Sequence, residues 1–466
     1  MKEKKGKRYL VTYKDQAIGS SEASSILGVA KKDCKDGVTF METDAIPGKK
    51  DVLHFEHVGV SSIELSEEEK SNLLKNKEVL AVEEDIEMHV LELTNEEEQA
   101  EYMNASLLEE NASESLAYDE GYHSAMVDMF SSMLYLGTRG KTPVNGNGER
   151  ANSPLPINPR PIQPLPRLPI FPPILLPKQP IPWNISLVKA PEAWAKGYQG
   201  SGVKVAILDT GIANHSDLSI SGGVSFISGV TSYNDGHSHG THCAGIVAAK
   251  NNIIGVVGVA PLSKLYAVKV LSDGGSGPMS GVIAGMDWCI TNGIQVASMS
   301  LGSSSAPSAA YSNAVKRCQD NGITVVAATG NSGYSSFPYV GAPANSYQRG
   351  TSKASPIAVG SVNQSSILAG SSSRGGEHSE WNQVTVVAPG VNVNSTILNN
   401  GYGTKSGTSM ACPHVAGLAA LIYEKYPGIS PVNVERRITS SASDLGDSGY
   451  DTLYGYGLIN CEKAIA

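Results

Sequence analysis

After Trp183, short apolar segments alternate repeatedly with segments long enough for a helix, and this pattern limits the possible folds more than any other part of the sequence. The predicted strands are residues 203–208, 264–270, 294–300, 323–329, 355–362 and 384–388, and the predicted helices include 239–250, 280–292 and 308–321. Strands joined in this way form a mostly parallel sheet that helices cover on both faces. The sequence therefore predicts a three-layer α/β domain over residues 183–466, with its site at the carboxyl ends of the strands.

A different pattern precedes this domain, and it predicts a small α+β unit over residues 1–91. Residues 8–13 (RYLVTY) and 52–63 have strand composition, and residues 78–93 read as a further strand. Residues 66–76 open with a serine followed by acidic side chains, which is typical of a helix start.

Two segments of different composition connect these units. Residues 92–150 are acidic and of mixed character, and they predict a linker to which we assign no core. In residues 151–182 proline recurs at nearly every second or third position, which predicts an extended polyproline II arm. We interpret the arm as a stiff spacer, and a ligand for a proline-binding partner domain is the alternative.

Composition limits the partners and the compartment. The formal net charge of -9 argues against nucleic acid and anionic membranes as partners. No apolar run reaches the length of a membrane span, and the N-terminal MKEKKGKRYLV lacks the apolar core of a secretory signal. The protein is therefore expected to be cytoplasmic or leaderless, or secreted if a leader is missing. The six cysteines have no metal-ligand spacing and are expected to be mostly free, buried thiols.

The segment 407–417, GTSMACPHVAG, contains the candidate nucleophile, Ser409. Gly407 and Thr408 predict a turn, and the apolar residues that follow predict a helix with Pro413 in its first turn. The free N–H groups of a helix N-terminus favour negative charge, such as the oxyanion formed when a hydroxyl attacks a carbonyl. The alternative is a serine that only caps a buried helix.

Two further side chains complete a candidate catalytic group. Asp209 follows the predicted strand VAIL, at a strand end where a carboxylate can hold an imidazole in one tautomer. His239 lies at the start of a predicted helix, and an imidazole is the usual general base for a serine. We interpret His242 and His414 as packed helix residues and His237 as loop surface.

The motifs VAILDTG, HGTHCAG, AATGNSG and GTSMACPHVAG occur in this order, and residues from about 179 to 466 resemble a subtilisin-like serine protease. The resemblance implies an endopeptidase that acts through an acyl-enzyme. By this resemblance, Asp209 orients His239, and His239 takes the proton of Ser409. It also implies that the Asn331 side chain and the Ser409 N–H bind the oxyanion. The alternative is a catalytically idle homologue that binds peptides, or a partner through the proline-rich arm.

The resemblance also implies that substrate binds as an added strand between two edges of the protein. The edges would be Gly274, Gly275, Ser276 and Gly277 on one side and Ser300, Leu301 and Gly302 on the other. Ala328, Thr329 and Gly330 would form the wall of the primary pocket, and Leu271 and Met279 would line the pocket three residues upstream. Because these pockets look apolar, an apolar residue is expected before the scissile bond.

Structural calcium is the cofactor that the resemblance implies. The side-chain oxygens of Gln179, Asp217 and Asn252 and the carbonyls of Lys250, Ile254 and Val256 would bind it. Oxygen ligands of this kind suit a hard cation.

Residues 8–91 resemble the ferredoxin-like propeptide of the same family, which implies a self-processing zymogen with an intramolecular inhibitor. Aligning VEED with the family pattern predicts self-cleavage between Leu91 and Glu92, with Met88 three residues upstream of Leu91. The family's catalytic domain usually starts near that bond, so the long insertion leaves two mature N-termini open, one after Leu91 and one near Lys178.

Overall fold

The computed structural model describes residues 7–42, 47–48, 51–93, 179–346, 355–376 and 383–466. Nearly all of the predicted acidic linker and proline-rich arm lies outside these described residues. Glu92 and Leu93 at the start of the linker, and residues 179–182 at the end of the arm, are described.

The N-terminal unit is built around one sheet. Its strands are β1 (Lys7–Tyr13), β2 (Cys34–Asp36), β3 (Val52–Phe55), β4 (Val60–Leu65) and β5 (Val79–Glu84), and its helices are α1 (Ser20–Leu27), α2 (Gly37–Glu42) and α3 (Glu67–Leu73). The sheet has the order β2-β3-β4-β1-β5. Helix α3 begins with a capping box, in which Ser66 Oγ accepts from the Glu69 N–H and the Glu69 carboxylate accepts from the Ser66 N–H.

Two of the strands predicted in this unit are each divided into two strands in the structure, so the prediction of single strands is wrong. The predicted strand 52–63 is divided into β3 and β4 by a turn at residues 56–59, where Gly59 has φ 63°. A side chain at Gly59 would be strained there and would also meet the backbone of Gln16. The predicted strand 78–93 is divided at Asp85 and Ile86, because the following strand, β6 (Glu87–Val90), leaves the sheet and pairs with the larger domain.

The larger domain contains the predicted parallel sheet. Its strands in chain order are β7 (Lys204–Asp209), β8 (Ile220–Ser225), β9 (Lys264–Lys269), β10 (Ser276–Pro278), β11 (Val296–Met299), β12 (Leu301–Gly302), β13 (Thr324–Ala328), β14 (Ile357–Val362), β15 (Val386–Pro389), β16 (Val393–Thr396) and β17 (Tyr402–Lys405). Seven of them form one sheet in the order β15-β14-β13-β11-β7-β9-β8, and every neighbouring pair is parallel. Strands β16 and β17 form a separate antiparallel hairpin.

Helices cover this sheet, which confirms the three-layer α/β fold. They are α4 (Trp183–Leu187), α5 (Ala190–Ala195), α6 (His239–Ala248), α7 (Met279–Thr291), α8 (Ala309–Asp320), α9 (Thr408–Lys425), α10 (Pro431–Ser441) and α11 (Cys461–Ala464). Helix α9 packs on β11, β13, β14 and β15 and against α6, whereas α7 and α8 pack on each other. From Thr408 to Tyr423 every residue of α9 is buried, and at Gly417 a side chain would collide with Val259.

Strand β8 was missed by sequence reasoning because its residues, ISGGVS, have low strand propensity. The two glycines are required by close neighbours rather than by backbone freedom. A side chain at Gly222 would press on the ring of Tyr266, and one at Gly223 would press on the ring of Tyr233. Strand β8, at the edge of the sheet, therefore forms where the rings of Tyr233 and Tyr266 pack against its glycine residues.

The N-terminal unit packs on the larger domain through its sheet. Strands β1 and β5 contact α8, and β3 contacts α7. Two carboxylates of the unit also meet the N-termini of these helices. Glu83 accepts from the N–H groups of Ala309 and Ala310 at 3.1 and 2.9 Å, and Asp85 accepts from the Ser280 N–H at 2.9 Å. Unpaired N–H groups and the helix dipole make these positions favourable for anions.

No helix in the described ranges is both long enough and apolar enough to span a membrane. All six cysteines are free and buried, in agreement with the prediction of free, buried thiols.

Candidate active site

The sheet and helix α6 bring Asp209 and His239 together. Asp209 is the last residue of β7, and His239 is the first residue of α6. His239 Nδ1 lies 2.7 Å from Asp209 Oδ1, and both side chains are fully buried. With Nδ1–H donating to the carboxylate, the lone pair of the neutral ring is on Nε2. In the described part of the chain, Nε2 has no hydrogen-bond partner.

Burial and the neighbouring carboxylate act in opposite directions on His239. Burial is the largest influence and lowers the pKa of the ring, but the charge of Asp209 and its hydrogen bond more than offset it. Glu92 adds a smaller increase and Lys405 a smaller decrease, so the pKa of His239 lies above its ordinary value of 6.5. Asp209 therefore stabilises the protonated form of His239, which suits a histidine that acts as a general base.

Asp235 holds the loop that leads into α6, and sequence reasoning missed it. Its Oδ1 accepts from the N–H groups of His237 and Ser238, and its Oδ2 accepts from the N–H and hydroxyl of Thr241. Asp235 also accepts from the hydroxyl of Thr210, the residue after Asp209. Ser238 has φ 91° and makes no side-chain cap, so Asp235 takes the place of the helix cap. The only sequence signal was an acidic residue four positions before His239.

Ser409 is the second residue of α9, at the predicted helix N-terminus. The prediction that Pro413 lies in the first turn is wrong, because the helix begins at Thr408 and Pro413 is its sixth residue. A proline here leaves the Ser409 carbonyl without its usual donor. The Ser300 hydroxyl at 2.8 Å and the Cys243 thiol at 3.5 Å donate to that carbonyl instead.

The Ser409 hydroxyl donates to the Ser300 carbonyl at 3.0 Å. It does not hydrogen-bond to His239 Nε2, which has no partner within the described residues. Cys243, on the same helix as His239, links the two elements through its contact with the Ser409 carbonyl. Burial raises the pKa of the Cys243 thiol well above its ordinary value, so this neighbour stays protonated and is a poor nucleophile.

A carbonyl of the chain itself occupies the predicted oxyanion site. Leu91 O accepts from Asn331 Nδ2 at 2.8 Å and from the Ser409 N–H at 3.3 Å. Asn331 Oδ1 in turn accepts from the N–H and the hydroxyl of Thr408, which orients the amide. Gly407 has φ 137°, and a side chain there would lie 2.6 Å from Leu91 O, so glycine is required for this approach.

Strand β6 lies between the two predicted edges. It pairs antiparallel with β10 through Ser276 and Gly277 and with β12 through Leu301 and Gly302. The Gly275 carbonyl accepts from the Val90 N–H at 3.0 Å. Gly274 belongs to the preceding turn, where its N–H donates to Ser272 Oγ, and Ser300 contacts Ser409 rather than β6.

In this segment Met88 is buried and Leu91 is half-buried. Leu91 faces a cavity lined by Thr329 and Gly330, and Gly302, Gly341 and Ala342 lie around the same cavity. Ala328 is buried at the end of β13 and does not line it. Met88, Leu271 and Met279 are all buried within one apolar cluster.

The six residues predicted to bind calcium also meet. The carbonyl oxygens of Lys250, Ile254 and Val256 lie 3.3, 2.6 and 2.7 Å from Gln179 Nε2. Asn252 Nδ2 donates to Asp217 Oδ1 at 2.7 Å. An amide group has only two protons for three converging carbonyls, and turning the Gln179 amide would place Oε1 among them. The donor set, entirely oxygen and including one carboxylate, fits a hard cation.

We compare the surroundings of His242, His414 and His237, the three histidines that the sequence analysis set apart from His239. His242 Nε2–H donates to the backbone carbonyls of Val393 and Gly403, and burial lowers the pKa of the ring to about 3. His414 contacts Asn184 and the Met410 carbonyl, and burial lowers its pKa to about 4. Both are packed, as predicted. His237 lies in the loop before α6, as predicted, and is half-buried: its ring faces Glu92 and lies 6.2 Å from the ring of His239.

A parallel α/β sheet that joins an Asp–His pair, a serine at a helix N-terminus and an amide donor defines a serine hydrolase. The model of the subtilase family matches residues 200–457, and the chain belongs to this family. Subtilisin Savinase of Lederbergia lenta is 48% identical over 286 residues, which cover 61% of this chain and 99% of that protein. Subtilisin DY of Bacillus licheniformis is 49% identical over 288 residues, with the same coverage of both chains. M-protease of Shouchella clausii is 48% identical over 286 residues, which cover 61% of this chain and 70% of that protein. The protein is a subtilisin-like serine endopeptidase.

Proposed function

We propose that this endopeptidase is made as a zymogen that cuts its own chain between Leu91 and Glu92. One observation carries the proposal: the Leu91 carbonyl accepts from both Asn331 and the Ser409 N–H, as a scissile carbonyl would. The test is the N-terminal sequence of the purified chain, which we expect to begin Glu-Leu-Thr after processing. A wild-type chain that keeps residues 1–91 covalently attached would overturn the self-processing step.

The proposed chemistry uses Asp209, His239 and Ser409. Rotation of the Ser409 hydroxyl from the Ser300 carbonyl towards His239 Nε2 lets the ring take its proton as Oγ attacks the Leu91 carbonyl carbon. The negative oxygen is stabilised by Asn331 and the Ser409 N–H. His239 then gives the proton to the nitrogen of Glu92, which leaves. Water, activated by the same ring, hydrolyses the acyl-enzyme.

The domain assignment forms part of this proposal. Residues 1–91 act as the inhibitor and folding template, with the ferredoxin-like topology that we predicted for them. Residues 92–150 and 151–182 are the linker and the arm, and residues 183–466 are the catalytic domain. The packing of β1, β3 and β5 on α7 and α8, together with the helix-terminal contacts of Glu83 and Asp85, supports the inhibitor role. A unit held by several contacts stays bound after one peptide bond is cut and continues to block the cleft.

We further propose a preference for apolar side chains before the scissile bond and three residues upstream of it. Leu91 faces the cavity lined by Thr329 and Gly330, and Met88 is buried in the apolar cluster that contains Leu271 and Met279. Burial of a Leu or Met side chain contributes roughly 1.5–3 kcal/mol relative to exposure. Polypeptides with such residues are therefore the proposed substrates.

Replacement of Asn331 by leucine is expected to lower kcat by about 10²- to 10³-fold and to leave KM nearly unchanged. The size of the effect is the one known for the equivalent asparagine of subtilisin itself, and we carry it over from that enzyme. The amide donates to the oxyanion more strongly than to the ground-state carbonyl, so its loss acts on the transition state. Steady-state hydrolysis of a leucine peptide measures both constants. A variant whose KM rises while kcat is retained would contradict the role.

We propose that calcium binds among Gln179, Asp217 and Asn252 and the carbonyls of Lys250, Ile254 and Val256, and that it stabilises the folded state. Bound to the native state alone, at a concentration 1,000-fold above its Kd, calcium adds about 4.1 kcal/mol to the free energy of unfolding. We expect chelation to lower Tm by roughly 8–16 °C, since 1 kcal/mol shifts Tm by about 2–4 °C in a domain of this size.

The calcium measurement compares Tm with calcium and with chelator, in a Ser409→Ala background that prevents self-digestion. Asp217→Asn is expected to lose most of the calcium effect because it removes the only carboxylate of the site. Asp447→Asn, at an exposed position, is the matched control and is expected to keep the effect. An equal calcium effect in both variants would contradict the assignment.

A further inference from the structure

Glu92, the residue after the proposed scissile bond, is held between two basic side chains from different elements. Lys405 Nζ at the end of β17 lies 2.8 Å from Glu92 Oε2, and His237 Nε2 lies 4.0 Å from Oε1. We propose that Lys405 and His237 form an anion-binding subsite that selects substrates with glutamate or aspartate immediately after the scissile bond. This inference rests on the proposed cleavage between Leu91 and Glu92.

The three side chains are partly withdrawn from water. The exposed fractions are 19% for Lys405, 22% for Glu92 and 20% for His237. An ion pair between fully exposed side chains contributes little, but partial burial lowers the effective dielectric constant and strengthens the attraction. In the described part of the chain, Lys405 Nζ donates its hydrogen bond to Glu92. The lysine therefore has a substrate carboxylate as its counter-ion rather than an acidic residue of its own domain.

The backbone on both sides of Glu92 is fixed, which determines where its side chain points. Leu91 O is bound by Asn331 and the Ser409 N–H, and the Leu93 N–H donates to the Ser406 carbonyl at 2.9 Å. The Leu93 side chain is buried. Because Lys405 and Ser406 are adjacent, one short segment binds both the backbone N–H of Leu93 and the side chain of Glu92.

His237 is positioned by its own surroundings. Its N–H donates to the buried carboxylate of Asp235 at 2.8 Å, and its ring packs edge to face against His239. A side chain at Gly275 would lie 3.1 Å from His237 Nε2, so the glycine leaves room for the ring. Asp273 also interacts electrostatically with His237. The ring is thus held beside the lysine without blocking the cleft.

The proposed subsite favours an acidic residue after the scissile bond and disfavours a basic one. A carboxylate gains a charge-assisted hydrogen bond, an amide gains a weaker one, and a lysine or arginine would meet the like charge of Lys405. The same two charges act on the base: Glu92 raises the pKa of His239 and Lys405 lowers it. Lys405 therefore also offsets the influence of an acidic substrate on the catalytic histidine.

The test uses self-processed enzyme that has been purified away from the cleaved residues 1–91, and three quenched peptides, Met-His-Val-Leu-Xaa-Leu, in which Xaa is Glu, Gln or Lys. For wild type we expect kcat/KM to be about 10-fold higher with Glu than with Gln, and lower still with Lys. Lys405→Gln is expected to bring the Glu to Gln ratio close to 1, and Lys405→Glu to make the Lys peptide the preferred one. His237→Gln is expected to reduce the ratio by about threefold.

Three controls accompany these variants. Lys463→Gln removes the same charge from an exposed position on α11 and is expected to keep the wild-type ratio. Lys405→Arg retains the charge and is expected to keep the preference, so the proposal stays testable if Lys405→Gln does not fold. In wild type, 1 M NaCl is expected to lower the ratio because salt screens a partly exposed pair.

The possible failures are distinguishable. Cleavage of all three peptides after leucine, at equal rates or with a ratio that Lys405→Gln and Lys405→Glu do not change, overturns the subsite and leaves the proposed function intact. Absence of cleavage of every peptide by wild type overturns the proposed function and the subsite with it. A ratio that is unaffected by salt and retained in Lys405→Glu also overturns the subsite.

Discussion

Ser409→Ala is expected to abolish peptide hydrolysis, with a loss in kcat of about 10⁶-fold, and to yield a chain that still carries residues 1–91. The magnitude is that of the catalytic serine of subtilisin and is carried over from that enzyme. Without Oγ no acyl-enzyme forms, and what remains is the contribution of the oxyanion donors and of binding. Leu91 should then stay beside Asn331, as in the structure. Mass spectrometry of the intact chain and a leucine-peptide assay measure the two effects.

The matched control is Ser448→Ala, at an exposed serine, which is expected to process and hydrolyse as wild type does. Thermal unfolding of both variants shows that each is folded. Processing of the Ser409→Ala chain at the same bond, after contaminating protease has been excluded with a specific inhibitor, would refute the role of this serine. It would also point to a catalytically idle homologue whose chain is cut by another enzyme.

Asp209→Asn is expected to lower kcat by about 10⁴-fold, which is the effect of the same change in another Ser-His-Asp protease and is carried over from that enzyme. It is also expected to move the acidic limb of the pH profile to lower pH. His239 must be neutral to accept a proton, so activity is present above the pKa of the ring and is lost as the pH falls through it. In wild type this pKa is raised above 6.5 because the Asp209 charge and hydrogen bond more than offset burial. Asparagine removes the charge, so burial dominates and the pKa falls.

The measurement is kcat/KM against pH, which reports the ionisation of the free enzyme. Asp447→Asn, at an exposed position, is the control for loss of one carboxylate and is expected to retain the wild-type limb. A limb that stays at the same pH in Asp209→Asn would show that another group titrates. His242 and His414 are unsuitable as that group, because burial lowers their pKa values to about 3 and about 4.

The fold class could be predicted because its signals are local. Buried parallel strands are short continuous apolar runs, and the helices between them have the length and composition to cover a sheet. The missed or misjudged elements depend on contacts from elsewhere. Strand β8 is formed by a glycine-rich segment that Tyr233 and Tyr266 cover, and the segment of β6 leaves its own sheet to pair with β10 and β12. Apart from Tyr233, these neighbours are distant in the sequence.

The family and the fold class followed from the sequence, because the residues around Asp209, His239, Asn331 and Ser409 form motifs that few other folds combine in this order. It also predicted which residues the site requires. The folded structure was needed to show that Asp235 caps the helix of His239 and that the Ser300 hydroxyl replaces the donor which Pro413 removes. It was also needed to show that Lys405 and His237 face Glu92. These relations join segments far apart in the chain, and their free energy depends on distance and burial in three dimensions, which residue type and spacing do not encode.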